Sequence, residues 1–133
     1  MNPMNEQTEA LAILHYEDGT TEQAYVPIVI DDSAEVITIR REDRSSEIPL
    51  IGLKAIFFLR ADGASSDEEE KTHQQAEGGV LNVEFQDGEV IRGSSDDYLP
   101  QRRGFFLFPL DRSKNERIFV FNSAVSSIEI EKF

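Results

Sequence analysis

The chain is 133 residues long and 39% hydrophobic, with nine Phe, no Trp and no Cys, and it carries a net charge of −13. That length suits one ordinary domain or two very small ones, with enough apolar content for a core in which Phe carries much of the packing. Disulfide and thiol chemistry are excluded, no apolar run approaches the ~20 residues of a membrane span, and the acidic field repels nucleic acid and anionic membranes.

Residues 1–8 are polar, and Glu6–Leu14 allows a short helical turn before the first strand. Met1–Glu6 has neither a basic cluster nor an apolar stretch, so no signal peptide is expected and the expected location is cytoplasmic. Alternation and β-branched or aromatic content place strands near 10–16, 20–28, 34–41, 46–49 and 55–60. Asp18-Gly19 marks a tight turn between the first two, and Arg41–Ser46 a polar turn. Residues 61–79 hold 1 basic and 6 acidic groups and almost no bulky apolar side chain, too little to offset their own ordering entropy. They are expected to form an acidic flexible linker, with a short helix over 67–76 as the alternative. Strands resume near 80–86, 89–98, 104–109, 117–121 and 127–132, with turns at Asp87-Gly88 and Asp111–Glu116.

Ala12–Gly19 reads as a copy of Leu81–Gly88, and Leu53-x-x-Ile56-x-Phe58 returns as Val125-x-x-Ile128-x-Ile130. The Asp-Gly turns are 69 residues apart and Ile56 and Ile128 are 72 apart, a difference that a longer turn at 111–116 absorbs. The fold class expected is therefore all-β: two tandem five-stranded small barrels, 1–60 and 80–133, packed as a pseudo-dimer. The closing strands differ. Ile128-Glu129-Ile130-Glu131 has one wet face, whereas Ile56-Phe57-Phe58-Leu59 is apolar on both. Phe57 or Leu59 is accordingly expected to pack the halves together or to form a homomeric contact, and a homo-oligomer stays open.

Val83-x-Phe85-x-Asp87-Gly88-Glu89-x-x-x-Gly93 resembles the first motif of Sm-like proteins, in which a Gly follows in the bent second strand. The first half keeps Asp18-Gly19 but has Ala24 at that Gly position. The short turn between Val120 and Ile128 looks like the one-turn helix between the last two strands of Sm and SH3-like barrels. The resemblance implies RNA contacts from an Asp and an Asn after the second strand and from an Arg-Gly pair. The matching positions here are Leu99 and Arg103, with Phe121-Asn122-Ser123 in place of Arg-Gly, so RNA binding of that type is not expected. The longer strings Asp87–Gly93, Gly104–Asp111 and Asn115–Val125, with Leu53–Phe58, are similar to a bacterial domain family of unknown function, the C-terminal half being the closer match. Members of that family look like stand-alone proteins or appendages of signalling proteins. The resemblance implies no activity, substrate or catalytic residue.

The remaining constellations argue for binding rather than catalysis. Arg40 and Arg44 have the Arg-x-x-x-Arg spacing that opens the cyclic-dinucleotide site of PilZ domains, but Asp62-Gly63-Ala64-Ser65-Ser66 departs from the strand motif that should follow. Glu42 and Asp43 between the arginines fit a solvated turn. Arg102 and Arg103, near Tyr98 and before the apolar run 105–108, could bind a phosphate and stack a base; a shallow peptide-binding surface is the variant kept. Asp67–Glu70 with His73 lacks the fixed oxygen geometry that hard cations need. His15 has Glu84 as its counterpart, which suggests a solvent-facing position. With no nucleophile elbow, phosphate loop or zinc-protease motif, no catalytic residue, cofactor or metal is expected. The expected function is a protein-interaction or adaptor module with Phe57, Leu59, Tyr98, Arg102 and Arg103 on its working surface. The alternative is a small-molecule or nucleotide-binding module using Arg40, Arg44, Arg102 and Arg103.

Overall fold

A computed structural model describes residues 9–59, 80–95, 98–110 and 115–131. The first half supplies β1 (Glu9–Tyr16), β2 (Thr21–Pro27), β3 (Val36–Arg40), β4 (Ser45–Pro49) and β5 (Leu53–Leu59). The second supplies β6 (Val80–Phe85), β7 (Val90–Ser94), β8 (Gly104–Pro109), β9 (Asn115–Phe121) and β10 (Val125–Glu131). A 3-10 turn, Asn122–Ala124, joins β9 to β10. Glu9–Leu14 is strand rather than a helical turn, because alternation buries Ala12 and Leu14 on one face. The expected linker 61–79 lies outside the described residues. Among the described residues no helix is long and apolar enough to cross a membrane.

All ten strands form one antiparallel sheet in the order β10-β6-β7-β8-β9-β5-β1-β2-β3-β4. The two closed barrels expected from sequence are not formed. Closure would need β5 to pair with β4, and β10 with β9; instead β5 pairs with β9, in the register Ile56↔Phe119 and Phe57↔Ile118. Both strands are apolar on both faces, so each can serve two cores only by sitting in the middle of the sheet. The first core gathers Leu14, Val26, Ile39, Leu53, Ile56 and Phe58, and takes Phe119 and Phe121 from β9. The second gathers Val83, Phe85, Phe105, Leu107, Ile118 and Val120, and takes Ala55 from β5 with Phe57 packed against it.

The halves repeat each other at the level of single hydrogen bonds. Tyr16 N–H donates to Thr20 O at 2.9 Å and Phe85 N–H to Glu89 O at 2.8 Å; Glu17 N–H donates to Gly52 O at 2.8 Å and Gln86 N–H to Ala124 O at 2.9 Å. Gly19 and Gly88 have φ of 94° and 95°, and among the described residues no other residue type takes positive φ. Asp18 and Asp87 therefore stay right-handed, which makes each hairpin a type I turn closed by a left-handed Gly. The register between the first and last strand of each half slips at the same place, between His15 and Tyr16 against β5 and between Val125 and Ser127 on β10. Lys54 and Ser126 are the residues each bulge leaves without a partner across the ladder. At Gly93 a Cβ would lie 2.5 Å from Phe108 O and 2.9 Å from Leu107 Cγ, so the close β7–β8 crossing needs glycine.

Candidate functional site

Two cavities lie where the halves meet. The larger, about 440 Å³, is built from four separated segments. The turn between β4 and β5 contributes Leu50 and Ile51, the loop after β2 contributes Asp32, the loop before β8 contributes Arg102 and Arg103, and Phe121 closes the floor. Leu50 and Phe121 are buried, whereas Ile51 is 84% exposed at the rim. An aliphatic side chain left in water beside two guanidinium groups is an amphipathic surface.

The arginine loop is held from below. Asn122 donates its side-chain amide to Leu99 O at 3.1 Å and Arg102 O at 2.9 Å, and its backbone N–H to Arg103 O at 3.0 Å. Across the cleft, Asp32 Oδ1 accepts the Arg103 backbone N–H at 2.6 Å and lies 3.7 Å from Arg102 Nε. One carboxylate thus meets the main chain of Arg103 and the side chain of Arg102, and the buried Nε of Arg103 has no hydrogen-bond partner among the described residues. Gly104 begins β8 here, and a Cβ on it would fall 2.6 Å from the Phe119 ring, so the strand following the arginines lies hard against β9.

The smaller cavity, about 180 Å³, is lined by Glu17, Lys54, Phe85 and Asp87 among others. The bulge at Lys54 sends its side chain out of the first half to the Asp-Gly turn of the second. Its ammonium lies 2.8 Å from Asp87 Oδ2, also bonds Glu89, and sits 4.7 Å from the Phe85 ring centre. Burial pulls the Lys54 pKa down, but the hydrogen bonds and charges of Asp87 and Glu89 outweigh it and hold it above the usual value. The Lys54 hydrogen bond and the Glu89 backbone N–H hold Asp87 below the usual carboxylate range. The cluster ties the halves together through one ammonium bonded to two carboxylates.

The other residues singled out from sequence fall as follows. Phe57 is half-buried between the halves, with its ring 4.1 Å from that of His15. His15 is half-buried rather than fully solvent-facing, and its pKa is lowered, first by burial, with Glu89 raising it and Lys54 lowering it. Tyr98 packs edge-on against Phe105 at 4.8 Å and belongs to the second core's margin. Leu59 is half-buried at the end of β5. Arg40 pairs with Glu9 at 2.9 Å and lies 4.3 Å over Tyr25, and Arg44 is exposed in the turn before β4. Neither lines the cleft, so only Arg102 and Arg103 of the four arginines come together there. Asp67–Glu70 and His73 lie outside the described residues. Among the described residues no three His, Asp or Glu are placed to hold a metal ion.

Both halves, and the cleft between them, fall inside a single family match over residues 9–132. The chain belongs to DUF6982, a family of unknown function. The DUF6982 match runs through both five-stranded halves as one unit, in agreement with the shared β5–β9 centre of the sheet. No curated protein and no solved structure matches the chain.

Ile51 and Asp32 are cleft residues with no role in the sequence analysis, and Asn122, considered there only as the counterpart of an RNA-contacting pair, instead holds the arginine loop. The available signal was at Ile51: Leu50-Ile51-Gly52 aligns with Asn122-Ser123-Ala124 at the 72-residue spacing, so an aliphatic residue stands where the other half has Ser.

Proposed function

We propose that this protein is a non-enzymatic interaction module, and that the cleft between its halves takes a segment of a protein partner bearing an apolar side chain next to a carboxylate. The observation that carries this reading is Ile51, 84% exposed and lining the same cleft as Arg102 and Arg103. The apolar contact supplies affinity and the arginines supply orientation, since guanidinium forks match carboxylates. Each half has the strand order fifth, first, second, third, fourth, which favours descent of both from an opened Sm-like or SH3-like unit. A photo-crosslinker at position 51 in native cells tests the reading. It should capture a discrete partner that Arg102→Glu loses, with the urea midpoint unchanged. A partner captured equally by the Arg102→Glu protein overturns it.

A second reading has its own observation, the unpartnered Nε of Arg103 in a cleft with Arg102. An anionic small molecule such as a nucleotide would bridge those two arginines and displace Asp32. A nucleotide titration that moves the arginine Nε–H resonances, and fails in Arg102→Glu, separates this from peptide binding.

A further inference from the structure

The two halves are alike in strand order, turns and bulges, yet equivalent positions on their closing strands differ in exposure. Ile56 and Phe58 on β5 face Leu14 and Ala12 on β1, as Ile128 and Ile130 on β10 face Val83 and Leu81 on β6. Ile56 is 0% and Phe58 1% exposed, whereas Ile128 is half-buried and Ile130 is 56% exposed. The difference is one strand. β9 lies along the outer edge of β5, placing Phe119 opposite Ile56 and Arg117 opposite Phe58. Arg117 then lies 5.0 Å over Phe58 and 4.6 Å over Phe106. No strand pairs with the outer edge of β10 among the described residues.

We infer that the outer edge of β10 is the docking site for an extended segment of another protein that alternates apolar with basic residues and adds to the sheet as an antiparallel strand. The β5–β9 ladder sets the pattern. By the 72-residue spacing, the position that Phe119 fills against Ile56 would be filled against Ile128 by an apolar residue. The position of Arg117 would be filled against Ile130 by another apolar residue or by an arginine. The opposite face sets the other half of the pattern. Where Phe57 meets Ile118, β10 has Glu129, which is exposed and faces water rather than a second core. A lysine or arginine opposite Glu129 satisfies that face, and the chain's net charge of −13 favours a basic partner's approach. Main-chain hydrogen bonds along the seven residues of β10 supply the rest, as in strand addition generally.

A second copy of this chain fits the edge poorly. Among the described residues its own open edges are β4, where Glu47 stands at the position of Phe119 and Ser45 at that of Arg117, and β10 itself, which paired antiparallel with its copy about Glu129 would set two carboxylates against each other. A copy docking through β4 would set Glu47 against Ile128 and bring two acidic chains together. The inference concerns a different surface from the cleft, so the two stand or fall separately.

The test uses a labelled seven-residue peptide alternating Val with Lys and a scrambled peptide of the same composition with its lysines blocked together. Fluorescence anisotropy and amide exchange are read on the full chain. The alternating peptide should bind about tenfold more tightly than the scrambled one and slow exchange of the β10 amides that point away from β6. Ile130→Ser, at an exposed position, and Glu129→Lys should each weaken binding by about tenfold, with the urea midpoint unchanged. Ile51→Asp should bind the peptide as the wild type does. Equal affinity for the two peptides, or no loss in Ile130→Ser, overturns the inference. Loss in Ile51→Asp instead puts the peptide in the cleft and also overturns it. So does slow exchange, in the free protein, of the β10 amides that point away from β6, whether from a second copy or from the chain itself; sedimentation at two concentrations tells those apart.

Discussion

Lys54 shows how one inserted residue changes what a strand can do. Its counterpart Ser126 hydrogen-bonds back within its own half, to Glu84 O at 3.1 Å. At the same bulge in β5, the longer side chain crosses to the other half, where Asp87 and Glu89 receive it. With Lys54 only 7% exposed and its acids half in water, the cluster is screened on one side only. Lys54→Met, which keeps the stem and removes the charge, should cost about 1–2 kcal/mol in urea denaturation. Asp87→Asn, with Glu89 still in place, should cost less. Glu131 is a second residue-scale case. Arg92, donating from Nε at 2.9 Å and from its terminal nitrogen at 2.7 Å, and then Asn82, lower its pKa from 4.5 to about 2. The folded carboxylate holds its proton less tightly than the unfolded one, so its contribution is complete above about pH 4.5 and is lost as pH falls towards about 2. Urea midpoints of wild type and Glu131→Gln should therefore converge through that window. A constant gap down to pH 2 would show that the Arg92 contact is not made.

At the scale of elements, β5 and β9 are the pair on which the architecture turns. Each alternates between cores: Ile56 and Phe58 to the first, Ala55 and Phe57 to the second, Phe119 and Phe121 to the first, Ile118 and Val120 to the second. Phe119 and Phe121 stack edge-on at 5.1 Å, and Phe106 meets Phe119 at 5.0 Å, so the second half lends an aromatic wedge to its neighbour. Phe119→Ala should cost about 3–5 kcal/mol and, although it lies in the second half, should loosen the first core, visible as lost protection at Leu14 and Val26 amides. The ten strands and their turns were legible in sequence because alternation and Asp-Gly signals are local. The double-sided character of Ile56–Leu59 was legible too. Its partner was not, because closing each half on itself and joining the halves through β5 and β9 satisfy the same alternation, and register across 60 residues of chain leaves no local mark. Phe106, Phe119 and Phe121 read as aromatics of their own half for the same reason. Of the cleft, the arginine pair stood out by composition. Asp32 and Ile51 could not, since loops from four distant segments meet only after the sheet has formed.

For the whole molecule, shared central strands mean shared stability. The chain should unfold as one cooperative unit despite its repeated halves. Tyr16 and Tyr25 report on the first half and Tyr98 on the second, and there is no Trp to mask them. Tyrosine emission in Tyr98→Phe, and separately in the Tyr16→Phe, Tyr25→Phe double variant, should give the same urea midpoint once each is corrected for its own change in stability by circular dichroism. Two resolved midpoints would mean that the halves stand alone.

The strand order also dictates how the sheet comes apart. Its joint between halves lies at the middle, flanked on both faces by packed side chains, while β4 and β10 hang at the two margins, each with one neighbour among the described residues. Local opening thus begins at the far ends and travels inward, so the seam between the repeats is the last ladder to part. A partner that pulls on β10 loads the sheet one strand at a time from its weakest margin, like a zip, and leaves the joint untouched until the rest of that half has peeled away.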